Sequence, residues 1–542
     1  MLHRFAAYAF ILVLTCLLSA CSQNGDTLER DIAAREGILL FGNEGEPPSI
    51  DPHLNTSNNG NRIVSALMEG LVVYHPTDDN LPEPGVAKSW SDIDATVWTF
   101  SLREDARWSN GDPVTAHDFV YSFQRMLSPK LGAKYAQLLW VLKNAKAFNE
   151  GVLEDFSEVG VQALDDYTLE ITLEGPTPYF LNLLKHPTWY PVHPPTIEAA
   201  GGMSKPDSNW TRENYVSNGP YQLKNWVINK IVSVERNPYY WDAENVSIKE
   251  IHFLPIDDIS TEDRVFNSGG IHYQNTVPSD MIPLYKKKGD PYLRMEPWIA
   301  TYYYKINTTE PHLSDKRVRQ ALFLAINRKA LVKRVTKGDQ HIALSLTPDG
   351  IAGYEPPKQD SFNPNKARAL LAEAGYPQGK GFPKLTLLFN SSEQHKQIAE
   401  AIQQMWQNVL GIECELQNQE WKTFLETQHN LDYEISRSGW IGDYVFPDTF
   451  LTMFRTGDGN NNTGWSNARY DELITRSITE PDAERRLELL HEAESILMDE
   501  LPIIPLYFYN RIYRIAPEVK GWYPKITDNR NYKYISLEPT EN

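Results

Sequence analysis

The chain has 542 residues, 41% hydrophobic and 23% charged, with a mean hydropathy of −0.46. That composition excludes a disordered chain and a multi-span membrane protein, and at roughly 100–200 residues per domain the length predicts two to four lobes. The 52 basic and 71 acidic residues leave a formal charge of −19, which repels phosphate backbones, so nucleic acid is not an expected partner.

The N-terminus reads as an address. His3 and Arg4 precede an apolar run from Phe5 to Leu18, the pattern of a signal peptide over 1–20 and too short for a comfortable permanent span. The run closes on Leu18-Ser19-Ala20-Cys21, which resembles the lipobox of bacterial lipoproteins. The resemblance implies lipid on Cys21, a mature chain beginning there, and, from Ser22, an outer-membrane address if the source is Gram-negative. The polar stretch that follows reads as a tether, with 21–37 joining lipid to fold. Cys16 leaves with the signal and Cys21 carries lipid, so Cys414 stands alone. It lies in a strand-like run over 412–416, as a core thiol with no disulfide partner.

Strands and helices then mix along the chain. Alternation predicts strands over 98–102, 167–173, 231–234, 248–254 and 385–389. Thr115-Ala116-His117-Asp118 opens a helix with Phe119, Val120, Phe123, Met126 and Leu127 at helical spacing. Ser314 is placed to cap a second helix through Val318, Leu322 and Ile326. A third runs over 395–410 with Ile398, Ile402, Met405, Trp406 and Val409 inside, and Pro481 opens a last one to Met498. No repeat and no long flexible linker is visible, so the lobes of this α/β or α+β chain are expected to be close-packed.

Catalytic signatures are missing. There is no Gly-x-Ser-x-Gly, His-Glu-x-x-His, phosphate-loop or Cys-x-x-Cys pattern. The run Asp458-Gly459-Asn460-Asn461-Asn462 lacks a calcium loop's sixth-place Gly and twelfth-place acid, and reads as a surface turn. No metal site, cofactor or catalytic residue is expected. The run that stands out is Arg437-Ser438-Gly439-Trp440-Ile441-Gly442-Asp443-Tyr444. A carboxylate beside an aromatic wall and permissive glycines suits an ammonium group. A turn with Trp440 plugging a core gap and Asp443 capping is the structural alternative.

That run resembles the binding motif of the bacterial oligopeptide-binding proteins of peptide ABC importers. Further motifs agree in order: Val97-Trp98-Thr99-Phe100-Ser101-Leu102-Arg103, Trp108-Ser109-Asn110-Gly111-Asp112-Pro113, Asn218-Gly219-Pro220-Tyr221, Asn237-Pro238-Tyr239-Tyr240-Trp241, Thr301-Tyr302-Tyr303-Tyr304-Lys305 and Leu371-Ala372-Glu373-Ala374-Gly375-Tyr376. The resemblance covers about 37–536. It implies an α/β, periplasmic-binding-protein-like type II clamp of three lobes. Lobe I is discontinuous (38–68, 193–301 and 511–542), lobe II is inserted (69–192), and lobe III (302–510) holds the binding motif. It also implies a monomeric, exported receptor on the periplasmic side of the envelope, not an enzyme, that passes peptides to a permease with separate ATPases.

Carried over by position, Asp443 corresponds to the carboxylate that meets the peptide ammonium. Gly439, Trp440 and Ile441 correspond to backbone and wall contacts, and Tyr135 to the cleft mouth. Arg437 and His395 correspond to cations for the peptide carboxylate, and Asn55, Thr56 and Ser57 to a segment beside the peptide backbone. Gln428 stands where close relatives often carry Arg, Asn55-Thr56 replaces an acidic side chain, and Ile441 replaces a Cys. Dipeptides, murein peptides and a metal chelate are alternative ligands within the same fold. An exported hydrolase is the alternative from another class.

Overall fold

The computed structural model describes residues 28–351 and 353–539. The signal peptide expected over 1–20, and Cys21 and Ser22, lie outside the described residues. Ten strands form the main sheet. From edge to edge they are Cys414–Gln419, Leu385–Asn390, Ile435–Ile441, Leu293–Ile306, Ile503–Ile515, Tyr273–Gln274, Ile38–Gly42, Glu250–Leu254, Ile231–Arg236 and Tyr221–Val227. Leu293–Ile306 and Ile503–Ile515, of 14 and 13 residues, run antiparallel through the middle and join the two halves of the sheet. Their register slips between Pro297 and Thr301, where proline has no N–H to give the ladder. The boundaries expected at 301 and 511 fall on these two strands.

A separate antiparallel sheet lies within 69–192, in the order Ala87–Ile93, Val97–Leu102, Thr168–Thr172, Val161–Asp165. Trp98, Phe100 and Leu102 are buried while Val97, Thr99 and Ser101 are half-buried, so period-2 alternation seats one face on the core. The helix Ala116–Leu127 buries Phe119, Phe123, Met126 and Leu127 beside it. Asp118 accepts from the Thr115 N–H at 2.8 Å and from Trp108 Nε1 at 3.2 Å, which ties the helix start to the tryptophan of the preceding motif.

Four expectations are corrected. The tether is shorter than 21–37, because Glu29–Glu36 is a helix that buries Arg30, Ala33 and Ala34 against the fold. Asp315, not Ser314, caps the helix Lys316–Leu324, since Ser314 donates to the Pro311 carbonyl instead. The third helix begins at Glu393 with Ser392 as cap, before His395. Asp482, one residue after Pro481, caps Ala483–Glu500. Cys414 is buried, and burial pushes its thiol up to about 12. Among the described residues no helix is long and apolar enough to cross a membrane.

A buried ion pair ties the inserted segment to the chain that follows the strand Ile38–Gly42. Arg125 Nη1 and Nη2 donate to Asp51 Oδ1 and Oδ2 at 3.0 and 2.6 Å, and Trp210 Nε1 adds a bond to Oδ2 at 3.0 Å. Burial opposes the Asp51 charge, but Arg125 beside it outweighs burial and holds the carboxyl below its usual 3.8. The pair's stabilisation is therefore present above pH 4 and is lost as pH falls through the depressed value. Arg125→Met leaves a buried carboxylate without its cation and is expected to destabilise the fold by about 3–5 kcal/mol. Urea unfolding at neutral pH measures this, and an unchanged midpoint would show that Asp51 finds compensation elsewhere.

Candidate functional site

The strand Ile435–Ile441 is paired differently on its two edges. On one side it runs against Leu293–Ile306 throughout, from Ile435 opposite Ile306 to Ile441 opposite Ala300. On the other, Leu385–Asn390 pairs only with Ile435 and Ser436. Gln428 takes over where that pairing stops, its Nε2 donating to Ser436 Oγ at 2.7 Å and to the Arg437 carbonyl at 2.8 Å. From Ser438 to Ile441 the second edge has no strand partner among the described residues, so its backbone groups are open to an added strand.

Two charges flank that edge without a counter-ion. Arg437 is held by Tyr509 Oη at 2.8 Å and Asn390 Oδ1 at 3.4 Å, with its guanidinium carbon 4.9 Å from the Tyr302 ring centre. Its Nε is buried without a partner, and among the described residues no carboxylate forms an ion pair with it. Burial disfavours its charge, but the phenol oxygens of Tyr509, Tyr302 and Tyr507 prevail and raise its pKa. At the other end, the Asp443 N–H donates to Thr449 Oγ1 at 3.1 Å while no described cation pairs with the carboxylate. Burial pushes that carboxyl from 3.8 up to about 7.

The remaining expected residues fall into three groups. Gly439, Trp440 and Ile441 lie on the open strand. Neither Gly439 nor Gly442 has positive φ, so their role is close packing. A Cβ at 439 would sit 3.2 Å from Tyr509 Oη, and one at 442 would sit 3.1–3.2 Å from Phe450, Ile299 and Thr449. Trp440 is half-buried with its indole N–H buried and unpartnered, and Ile441 is 38% exposed. Tyr135 of the inserted segment lies close enough to Asp443 to feel its charge. Burial first and then the Asp443 charge push the Tyr135 phenol up to about 12. Tyr179 of the inserted segment stacks on Phe446 at 4.4 Å and on Tyr444 at 5.7 Å, which brings the loop after Asp443 against that segment.

His395 and the 55–57 segment behave differently from the expectation. His395 Nδ1 lies 3.3 Å from Tyr302 Oη, and burial together with the Arg437 charge drives its pKa down to about 3. It is a neutral imidazole beside the arginine, not a second cation. Asn55 is buried and spent on local bonds: Nδ2 donates to the Ser57 carbonyl (3.0 Å) and Asn61 Oδ1 (2.6 Å), while Oδ1 accepts from Ser57 Oγ (2.8 Å). Ser57 also caps the helix Asn58–Leu67. Only the Thr56 side chain of this segment is exposed.

The aromatic setting of Arg437 escapes a reading of the motif alone. Tyr302, Tyr507 and Tyr509 form a connected group with ring centres 4.8–5.8 Å apart, and Trp298 stands 5.8 Å from Tyr509 with its indole N–H buried and unpartnered. The signal that could have found them is the i, i+2 spacing of Tyr507 and Tyr509 on one strand face.

The chain matches the model of the bacterial extracellular solute-binding proteins, family 5, over residues 82–462. It is 37% identical over 522 residues to the periplasmic oligopeptide-binding protein OppA of Salmonella typhimurium, covering 94% of both chains. It is 34% identical over 539 residues to the oligopeptide-binding protein OppA of Bacillus subtilis, covering 96% of this chain and 97% of that one. Among solved structures, a periplasmic oligopeptide-binding protein from Borrelia burgdorferi superposes with a TM-score of 0.81 at 34% identity, over 92% of this chain and 100% of the other. The α/β, periplasmic-binding-protein-like clamp with an extra lobe, expected from the motifs, is the fold these likenesses share. The open strand edge, its flanking charges and these likenesses converge, and the chain belongs to family 5 of the bacterial extracellular solute-binding proteins.

Proposed function

We propose that this chain is an extracytoplasmic receptor that binds oligopeptides by their backbone and termini and hands them to an ABC permease driven by separate ATPases. The observation that carries the reading is the open edge of 438–441 bounded by an unpaired cation at Arg437 and an unpaired carboxyl at Asp443. A free peptide is the matching object: a strand with an ammonium at one end and a carboxylate at the other. Asp443 takes the ammonium, Arg437 the carboxylate, and the edge pairs with the peptide backbone. The two residues are six apart, no more than about 20 Å of extended chain, and both side chains reach inward. The span suits a ligand of roughly three to five residues. Gln428 serves the fold and His395 is neutral, so Arg437 is the cation of this site.

In this reading Gly439, Trp440, Ile441 and Tyr135 line the peptide, and Thr56 with the 55–57 backbone faces it from lobe I. The lobes divide at 69, 193, 302 and 511. Lipid on Cys21 holds the monomer to the envelope, and bound peptide is released intact. Mass spectrometry of ligands released from purified protein tests the ligand class: mixed short peptides are expected, and recovery of murein fragments or dipeptides alone overturns it. Product accumulating on incubation with peptides would make the protein a hydrolase.

Asp443→Asn leaves the ammonium without its counter-charge. A lost partner in a buried pair costs about 3–5 kcal/mol, so affinity is expected to fall about 100- to 3,000-fold. N-acetylation of the peptide should cost the wild-type protein a comparable factor by calorimetry, and a harmless acetyl group would remove the assignment. The same carboxyl predicts the pH profile. In the free protein it is protonated below about 7, and binding an ammonium requires it charged, so binding releases a proton in that range. Affinity should fall by up to about tenfold per pH unit below 7, and fall again above about pH 8 as the peptide α-amine (ordinary pKa about 8) loses its proton. Proton release near one at pH 6, read from calorimetry in buffers of different ionisation enthalpy, is the expected result. Because this acid is raised in the fold, its charging destabilises the ligand-free protein as pH rises from about 4 to 7. Asp443→Asn should therefore raise the melting temperature of the ligand-free protein at pH 8 while weakening its peptide binding.

A further inference from the structure

The acidic chain carries a basic groove away from the strand edge described above. Lys286 on the helix Ile282–Lys288 and Lys329, Lys333 and Lys337 from the turns over 328–337 line a surface depression of about 630 Å³. The last three are spaced four residues apart and all four are exposed. Asp339 is the one carboxylate in the lining, and it pairs with Lys286. Ile342 and Val332 supply an apolar floor and Leu284 beside it is 38% exposed, so the lysine stems rise from a partly apolar base.

The helix that carries Lys286 lies close to the first described residues. The Arg30 N–H donates to the Gly269 carbonyl at 2.9 Å, and its guanidinium lies 5.3 Å from the Phe266 ring centre. The Arg514 guanidinium bridges the same Phe266 ring, at 4.3 Å, to the ring of Tyr285, at 4.2 Å. Tyr285 immediately precedes Lys286. Because the helix Glu29–Glu36 is docked, Cys21, seven positions before Leu28, lies at most about 25 Å from it. The folded body is roughly 60 Å across. A lipid on Cys21 therefore forces the Leu28 side, and the groove with it, toward the bilayer.

We infer that the groove of Lys286, Lys329, Lys333 and Lys337 is a docking surface for the anionic phospholipid headgroups of the membrane that holds the anchor. The inference rests on the proposed lipidation of Cys21. A net charge of −19 is repelled by an anionic surface, and screening leaves only charges within about 10 Å of the headgroups effective. The lysines nearest the bilayer thus decide the sign of the local interaction. They orient the body on its tether, with a fixed face down.

The test is lysine acetylation of the full chain on vesicles, read by mass spectrometry. On equimolar phosphatidylcholine and phosphatidylglycerol, the four groove lysines should react several-fold more slowly than Lys130 and Lys134 of the inserted segment. The contrast should vanish on phosphatidylcholine alone and in high salt. Protection that is absent, spread evenly over all lysines, or equal on both vesicles overturns the inference. The triple variant Lys329→Gln, Lys333→Gln, Lys337→Gln should keep peptide affinity and lose about fivefold in anionic-vesicle partition per lysine. Full retention of partition also overturns it. The N-terminal peptide in the same digest reports lipid on Cys21 separately. Lipid without protection removes the groove, whereas protection without lipid removes the anchor and leaves the groove.

Discussion

A strand whose second edge is covered for only two residues is the constraint on which the site depends. Ile435–Ile441 is locked in register by Leu293–Ile306 along its whole length, so its position and pleat are rigid. Its pairing with the other neighbour stops at Ser436, and Gln428 closes the gap there by satisfying the Arg437 carbonyl. Had the pairing with Leu385–Asn390 continued, the backbone groups from 438 to 441 would be spent inside the sheet. An exposed edge is ordinarily a liability for pairing with other chains. Here the stacked Tyr179, Tyr444 and Phe446 bring the inserted segment against the loop that follows it.

The electrostatics follow from that burial. An isolated carboxyl and an isolated guanidinium are each unfavourable out of water, and each is held by a different means. Asp443 has no cation and answers by a raised pKa. Arg437 cannot release its proton and is wrapped instead by Tyr302, Tyr507 and Tyr509, whose ring faces and hydroxyl oxygens accommodate a cation. The same guanidinium depresses His395, which is why a residue placed beside it does not become a second positive charge. Buried indole N–H groups of Trp298 and Trp440 add unused donors to the neighbourhood. Unmet polar capacity gathered in one place is costly to the fold and is the usual mark of a binding site.

Other buried charges tie distant segments together by pairing. Arg125 meets Asp51 in a two-pronged bridge, and Arg511, Arg530 and Arg62 surround Asp528 where 511–530 packs on the start of the chain. These networks hold segments far apart in sequence. They join the inserted segment and the C-terminal residues to the stretch 51–62 that follows the first strand.

Much of this was legible in the residues. Alternation in 98–102 and the three-and-four spacing of Phe119, Phe123 and Met126 specify their elements because backbone geometry alone sets those periods. The motif 437–443 names its own charges, aromatic and glycines, and its order among the other motifs carries the fold. Helix starts slipped by a residue or two at Ser314, His395 and Pro481, where several capping residues stand side by side and only the packed geometry selects one. Other facts depend on neighbours that no local pattern contains. The Gln428 side chain closes the strand edge because the pairing with the adjacent strand ends early. Asn55 became a local cap because Ser57 and Asn61 lie within its reach. Tyr509 entered the site because the last long strand crosses the middle of the sheet. The sequence determined which chemical groups this protein owns and the local elements that carry them. The tertiary structure decided which groups are left without partners, since that depends on what burial and chain crossings bring within a few ångströms.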